Sequence, residues 1–215
     1  DAPLLEGDRA AWARLEKFRE SLLDEWGLPP EKKETLLNLA PGPETVGKST
    51  PVSTFCDGDV FSVNGIEIQA IHTPGHADGL CMFKMDREGQ TEVFSGDTLL
   101  PVYTPNVGGA DVRVDDPLEG YLRALQNIVR AGYDKAWPGH RNPIDNPAQR
   151  AEHIIQHHEE RAWRVLDVLS RYGPCDTWTV SAELFGKLEG IHILHGPGEA
   201  HAHLNHLEGS NVISR

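Results

Sequence analysis

Three stretches of this chain share one layout. Residues 66–71, 92–94 and 133–137 are short and largely apolar, and each runs into a glycine-bearing string. The strings are His72-Thr-Pro-Gly-His76, Ser95-Gly-Asp97-Thr and Pro138-Gly-His140. Apolar runs of this length bounded by turn residues read as strands. Glycine at a strand end lets the backbone fold closely around a bound group, and a rigid sheet holds the loops that carry the ligands. Two histidines and one carboxylate form a donor set suited to zinc, iron or manganese. Any one string also reads as a turn with local hydrogen bonds, Asp97 serving as a helix cap and the histidines as surface residues. Three in succession favour the metal reading.

The ordered set HTPGH, SGDT and PGH resembles the later motifs of the metallo-β-lactamase superfamily. The resemblance extends from about Asp1 to the C-terminus. It implies that His76 and His140 each hold a metal ion and that Asp97 lies between the two ions as a shared ligand and the catalytic carboxylate. Two zinc ions are implied, with iron or manganese as alternatives. The superfamily's HxHxDH motif stands upstream of HTPGH, and no histidine precedes His72 here. The expected fold is therefore the later portion of that superfamily's αβ/βα sandwich. His201-Ala-His203-Leu-Asn-His206 comes close to the absent motif, but Gly196-Pro-Gly-Glu precedes it instead of a buried strand. It reads as an amphipathic helix that happens to carry histidines.

Periodicity supplies the rest of an α/β (α+β) fold. Trp12, Leu15, Phe18 and Leu22 recur at helical spacing over residues 8–23, and Leu28-Pro-Pro ends that helix before a short one near Glu31. Residues 38–54 read as a loop. Strands over 59–63 and 66–71 join at Asn64-Gly65, a hairpin turn. A second pair spans 80–85 and 92–94. Asp115-Asp116 caps a helix over 117–131 with proline in its first turn, and Gly132 ends it. A long helix covers 147–171. Beyond it, helices over 179–188 and 200–207 and a strand at Asn211-Val-Ile suggest a small winged-helix-like unit. The organisation expected is thus a hydrolase portion over 1–150, then a linking helix and C-terminal domain over 151–215. This tail, with His157 and Arg161 after PGH, resembles the β-lactamase-like protein 2 group. There His157 and Arg161 would support the metal ligands from behind, whereas His192 and His195, set among Ile and Leu, read as structural.

The formal net charge of −13, from 33 acidic against 20 basic residues, opposes binding to a phosphate backbone. It suits a halophile's surface as well as an ordinary acidic protein. Helix 200–207 and its flanks carry Glu199 and Glu208 and no Lys or Arg before Arg215, which argues against DNA as a partner. No apolar run is long enough for a membrane span. Three scattered cysteines form no CxxC pair and suit a reducing cytoplasm.

The resemblance implies hydrolysis of an ester, thioester or phosphodiester, of a small molecule or of RNA, by a metal-activated water. A glyoxalase II-type thioesterase or an iron persulfide dioxygenase is the neighbouring alternative, since both share HTPGH. A non-catalytic chain that binds a partner or oligomerises is the alternative from another class.

Overall fold

The computed structural model describes residues 2–39, 48–109 and 111–214. Residues 40–47 of the expected loop lie outside them. In order, the elements are α1 (Ala2–Leu5), α2 (Arg9–Glu25), α3 (Pro30–Leu39), β1 (Val60–Val63), β2 (Ile66–His72), β3 (Cys81–Arg87), β4 (Gln90–Gly96), α4 (Pro117–Ala131), β5 (Lys135–Pro138), α5 (Pro147–Tyr172), α6 (Thr177–Phe185) and α7 (His192–Gly209). Local chemistry sets many of these ends. Asp8, Asp116, Asn146 and Asp176 each accept a backbone N–H from the first turn of α2, α4, α5 and α6. That pairing satisfies donors a helix start leaves open. Gly132 closes α4 in the left-handed region, at φ 62°.

The five strands form one sheet in sequence order, antiparallel except for the parallel β4–β5 pair. Helix α4 is the crossover between those two strands, as a parallel connection requires. Because β2 and β4 each run antiparallel to β3, strands β2, β4 and β5 all point the same way. Their C-terminal ends therefore meet at one edge of the sheet, and the three strings follow those ends.

One face of the sheet is buried under helices. Met82, Val93 and Ala136 pack against Leu118, Tyr121, Leu125 and Ile128 of α4 and Ala151 and Ile154 of α5. These residues recur on α4 at three- and four-residue spacing, which gives it one continuous apolar stripe. A second core joins Leu23 and Trp26 at the end of α2 to Leu188, Ile193 and Leu194 near the start of α7.

The C-terminal segment departs from the expected winged helix. Residues 211–213 form no strand, and the described residues hold no wing: every strand belongs to the one sheet. Asn211, at φ 57°, turns the chain away from an extended path. Helix α7 also begins eight residues earlier than expected and runs straight through Gly196-Pro197-Gly198. Those residues normally break a helix. Here tertiary contact overrides propensity, because a Cβ at Gly198 would overlap Gly109 and one at Gly196 would meet Ser181 Oγ at 2.7 Å. The glycines are what allow α7 to approach.

Behind the sheet edge, α5 and α7 bury two histidines. His158 Nδ1 and His203 Nε2 lie 3.3 Å apart, and His203 Nδ1 donates to the Glu199 carbonyl at 2.8 Å. That donor assignment makes His203 Nε2 the acceptor and His158 Nδ1 the donor between the two rings. Burial, aided by His203 and Arg161, pushes His158 down to about 2, and burial with Arg161 and His206 pushes His203 down to about 3. Both rings are neutral in the fold, whereas the unfolded chain takes up protons on each below about pH 6.5. Stability is therefore expected to fall as the pH drops below 6.5, by up to about 1.4 kcal/mol per pH unit for each ring. Urea midpoints at pH 7 and pH 5 measure this, and His158→Asn should flatten the slope. A midpoint independent of pH would contradict the buried neutral pair.

Candidate metal centre

The loop after β2 is fastened on several sides before it presents His76. Thr73 N–H donates to the Leu80 carbonyl at 2.8 Å, and His72 Nε2 lies 2.6 Å from the Asp78 carbonyl. Asp78 N–H donates to Asp111, whose burial would raise its pKa. The Arg113 guanidinium and backbone N–H groups more than offset this and hold the carboxyl below its usual range. The buried Thr73 and Thr98 hydroxyls meet at 2.7 Å, tying the HTPGH loop to the SGDT loop, and Tyr121 Oη donates to the Thr98 carbonyl at 3.0 Å. Gly75, at φ 142°, lies so close to α4 that a Cβ would stand 2.6 Å from Tyr121 Cβ and 2.8 Å from the Pro117 carbonyl. Gly75→Ala is thus expected to destabilise the fold by about 1–3 kcal/mol, through overpacking and an unfavourable φ. A denaturant midpoint equal to that of the unaltered chain would refute this.

The three loops bring His76, Asp97 and His140 together. His76 Nε2 stands 3.5 Å from Asp97 Oδ2, and His140 Nε2 stands 3.4 Å from Asp97 Oδ1. Gly139 lets the third loop pass the carboxylate, since a Cβ there would lie 2.9 Å from Asp97 Oδ1. Each histidine addresses a different oxygen, so the arrangement is two donor pairs sharing a carboxylate. Among the described residues no group of three or more His, Cys, Asp or Glu is gathered so as to hold a metal ion. His76 Nδ1 lies 2.7 Å from the Asn106 carbonyl, which can only accept. The ring is therefore Nδ1-protonated and, when neutral, turns the bare lone pair of Nε2 toward a carboxylate oxygen.

These groups open into a cavity of about 600 Å³. Leu100, Pro105, Phe185 and Leu188 supply apolar wall, and Lys187, His192, His195 and Glu199 supply polar wall. His192 and His195, which the sequence alone suggests are structural, are part of this wall. Arg161 reaches the site indirectly. It forms an ion pair with Glu199, whose other oxygen accepts from Asn106 Nδ2 at 3.0 Å. Burial lowers the Arg161 guanidinium to about 10. His157 sits on α5 against the His158 ring, with Nε2 buried and without a hydrogen-bond partner among the described residues. Burial and the nearby Arg161 charge lower its pKa. It is not part of the cavity wall.

Residues 6–140 match the family model described as the metallo-beta-lactamase superfamily. The chain belongs to this superfamily. Its members generally bind metal ions, commonly zinc. The chain is 35% identical over 111 residues to an atrochrysone carboxyl ACP thioesterase of Aspergillus fumigatus, covering 51% of this chain and 32% of the relative. It is 30% identical over 106 residues to a beta-lactamase-like protein 2 homolog of Drosophila melanogaster, covering 49% of this chain and again 32% of the relative. The matched stretches thus span about a third of those relatives. Among solved structures, a metallo-beta-lactamase family protein from Thermus thermophilus aligns with a TM-score of 0.74 at 29% identity, over 94% of this chain and 62% of that one. A beta-lactamase domain protein from Burkholderia ambifaria shares the fold at TM-score 0.77 and 22% identity, over 90% of this chain and 56% of that one. Among the described residues no helix is long and apolar enough to cross a membrane.

Proposed function

We propose that the protein acts in metal-dependent hydrolysis of an acyl thioester or ester, with His76 and His140 each holding an ion and Asp97 shared between them. The observation that carries this reading is the pair of separations across Asp97, 3.5 and 3.4 Å. Both exceed an ordinary N–H···O hydrogen bond. Donors sharing a tetrahedral ion at about 2.0–2.2 Å stand roughly 3.3–3.6 Å apart. A cation between them would also relieve the contact of the His76 lone pair with carboxylate oxygen. Bound there, divalent ions would supply an activated water near neutral pH and polarise the acyl oxygen under attack. The chain's own part is to hold the His76 tautomer, orient Asp97, and receive the acyl group against Leu100, Phe185 and Leu188.

Two observations favour an acyl substrate over a nucleic acid. Much of the cavity wall is apolar, and the formal charge of −13 repels polyanions. The likeness to a named thioesterase points the same way. Calorimetric titration of the chain with zinc is expected to give weak binding, in the micromolar range or above, because His76, Asp97 and His140 leave each ion short of four ligands. His76→Ala and His140→Ala should each weaken it at least about tenfold. Hydrolysis of a simple acyl thioester should require the added ion, and a phosphodiester should be turned over more slowly. Zinc affinity unchanged in both variants would overturn the reading.

A further inference from the structure

The cavity wall contributed by α7 includes a buried carboxylate, Glu199. It pairs with Arg161 of α5 on one side and accepts from Asn106 Nδ2 on the other. The same Asn106 amide nitrogen lies 3.0 Å from the His195 carbonyl, and Asn106 Oδ1 accepts Gly109 N–H at 3.0 Å. The Asn106 side chain is thus held at both ends, and its backbone carbonyl is the acceptor for His76 Nδ1. A second, independent feature presses the same loop onto α7. A Cβ at Gly108 would lie 2.6 Å from the Gly198 carbonyl, and one at Gly109 would lie 2.7 Å from His195 Cα. The loop carrying Asn106 therefore rests backbone to backbone on the glycine segment of α7.

We infer that Glu199 and Arg161 are positioning residues for His76, acting through Asn106: the buried pair on α7 and α5 fixes the Asn106 carbonyl, and that carbonyl sets the His76 tautomer and ring plane. The C-terminal helices are then a working part of the centre and not only a wall of its cavity. The inference rests on His76 being a metal ligand, but its first consequence shows without metal. A carbonyl locked in place holds one tautomer, and a loosened one lets the ring turn and exchange the proton between its nitrogens.

The test uses the 215-residue chain, labelled with ¹⁵N-histidine, and long-range ¹H–¹⁵N spectra of His76 without metal. The unaltered chain should show the Nδ1–H tautomer alone. Asn106→Ala keeps the backbone carbonyl but frees its loop, and should give a tautomer mixture. So should Glu199→Leu/Arg161→Met, which removes the buried charges together so that neither is left unpaired. Both should lower zinc affinity about 10- to 100-fold, in line with the loss of groups that orient metal-binding histidines. Glu199→Gln/Arg161→Gln retains an acceptor for Asn106 and should recover most of that affinity, which a purely structural role would not predict. A folded Asn106→Ala or apolar double variant with the original tautomer and zinc affinity would overturn the inference. So would a mixture of tautomers in the unaltered chain. Zinc binding that His76→Ala leaves untouched would instead defeat the metal reading of His76, while the tautomer spectra still decide the positioning.

Discussion

Asp97→Ala is expected to lower the proposed metal-dependent thioester hydrolysis by about a thousandfold or more, equivalent to roughly 4 kcal/mol of barrier at about 1.4 kcal/mol per tenfold. The size follows from position: Asp97 stands within reach of both His76 and His140, so its loss removes a donor from both sides. Asp97→Asn keeps the shape but removes the negative charge and puts an NH2 donor in place of one oxygen, so it should retain only part of the zinc affinity. Steady-state kcat/KM at saturating zinc measures the effect, with circular dichroism to show that the fold persists. An Asp97→Ala enzyme within tenfold of the original would mean that the chemistry lies elsewhere in the cavity.

The second large effect concerns stability. Tyr121 is fully buried beneath the first two loops, touching Gly75 and donating to the Thr98 carbonyl. Its removal in Tyr121→Ala should cost about 3–5 kcal/mol through lost burial and the cavity left behind. For a chain of this size that corresponds to roughly 10 °C or more in melting temperature. Tyr121→Phe removes only the hydrogen bond and should cost about 1 kcal/mol. An alanine variant melting within 3 °C of the original, outside that roughly 10 °C expectation, would show that the loops do not rest on α4 as described.

Much of the scaffold was legible because local chemistry decided it. Helix α4 lies where Asp116, Pro117 and Gly132 place it, residue for residue, and the strands end in the three strings as expected. The meeting of His76, Asp97 and His140 was expected from the resemblance that their ordered motifs carry; its physical reason, that β2, β4 and β5 run the same way, appears only in the strand pairing. What stayed hidden depends on tertiary contact. Gly196-Pro197-Gly198 reads as a break, and only the approach of Gly108 and Gly109 explains why a helix continues through it. Asn106 acts on His76 through a backbone carbonyl, which every residue type possesses, so no side chain could have signalled it. Glu199 and Arg161 are 38 positions apart on different helices, and nothing in the spacing suggests a pair.

The backbone seat between Gly108–Gly109 and Gly198 bears on how this protein can be recombined. Side-chain interfaces tolerate exchange when volumes match, but a contact between two main chains has no volume to trade. A chimera that takes its last helix from a relative would seat correctly only if that helix brings glycine, or at most a very small residue, to position 198. Otherwise the incoming helix stands off, and the loop behind His76 loses its support although His76, Asp97 and His140 are all present. In a library of swapped tails, survival should sort by that one position before it sorts by overall similarity. The loop and the helix are therefore best transplanted as a pair.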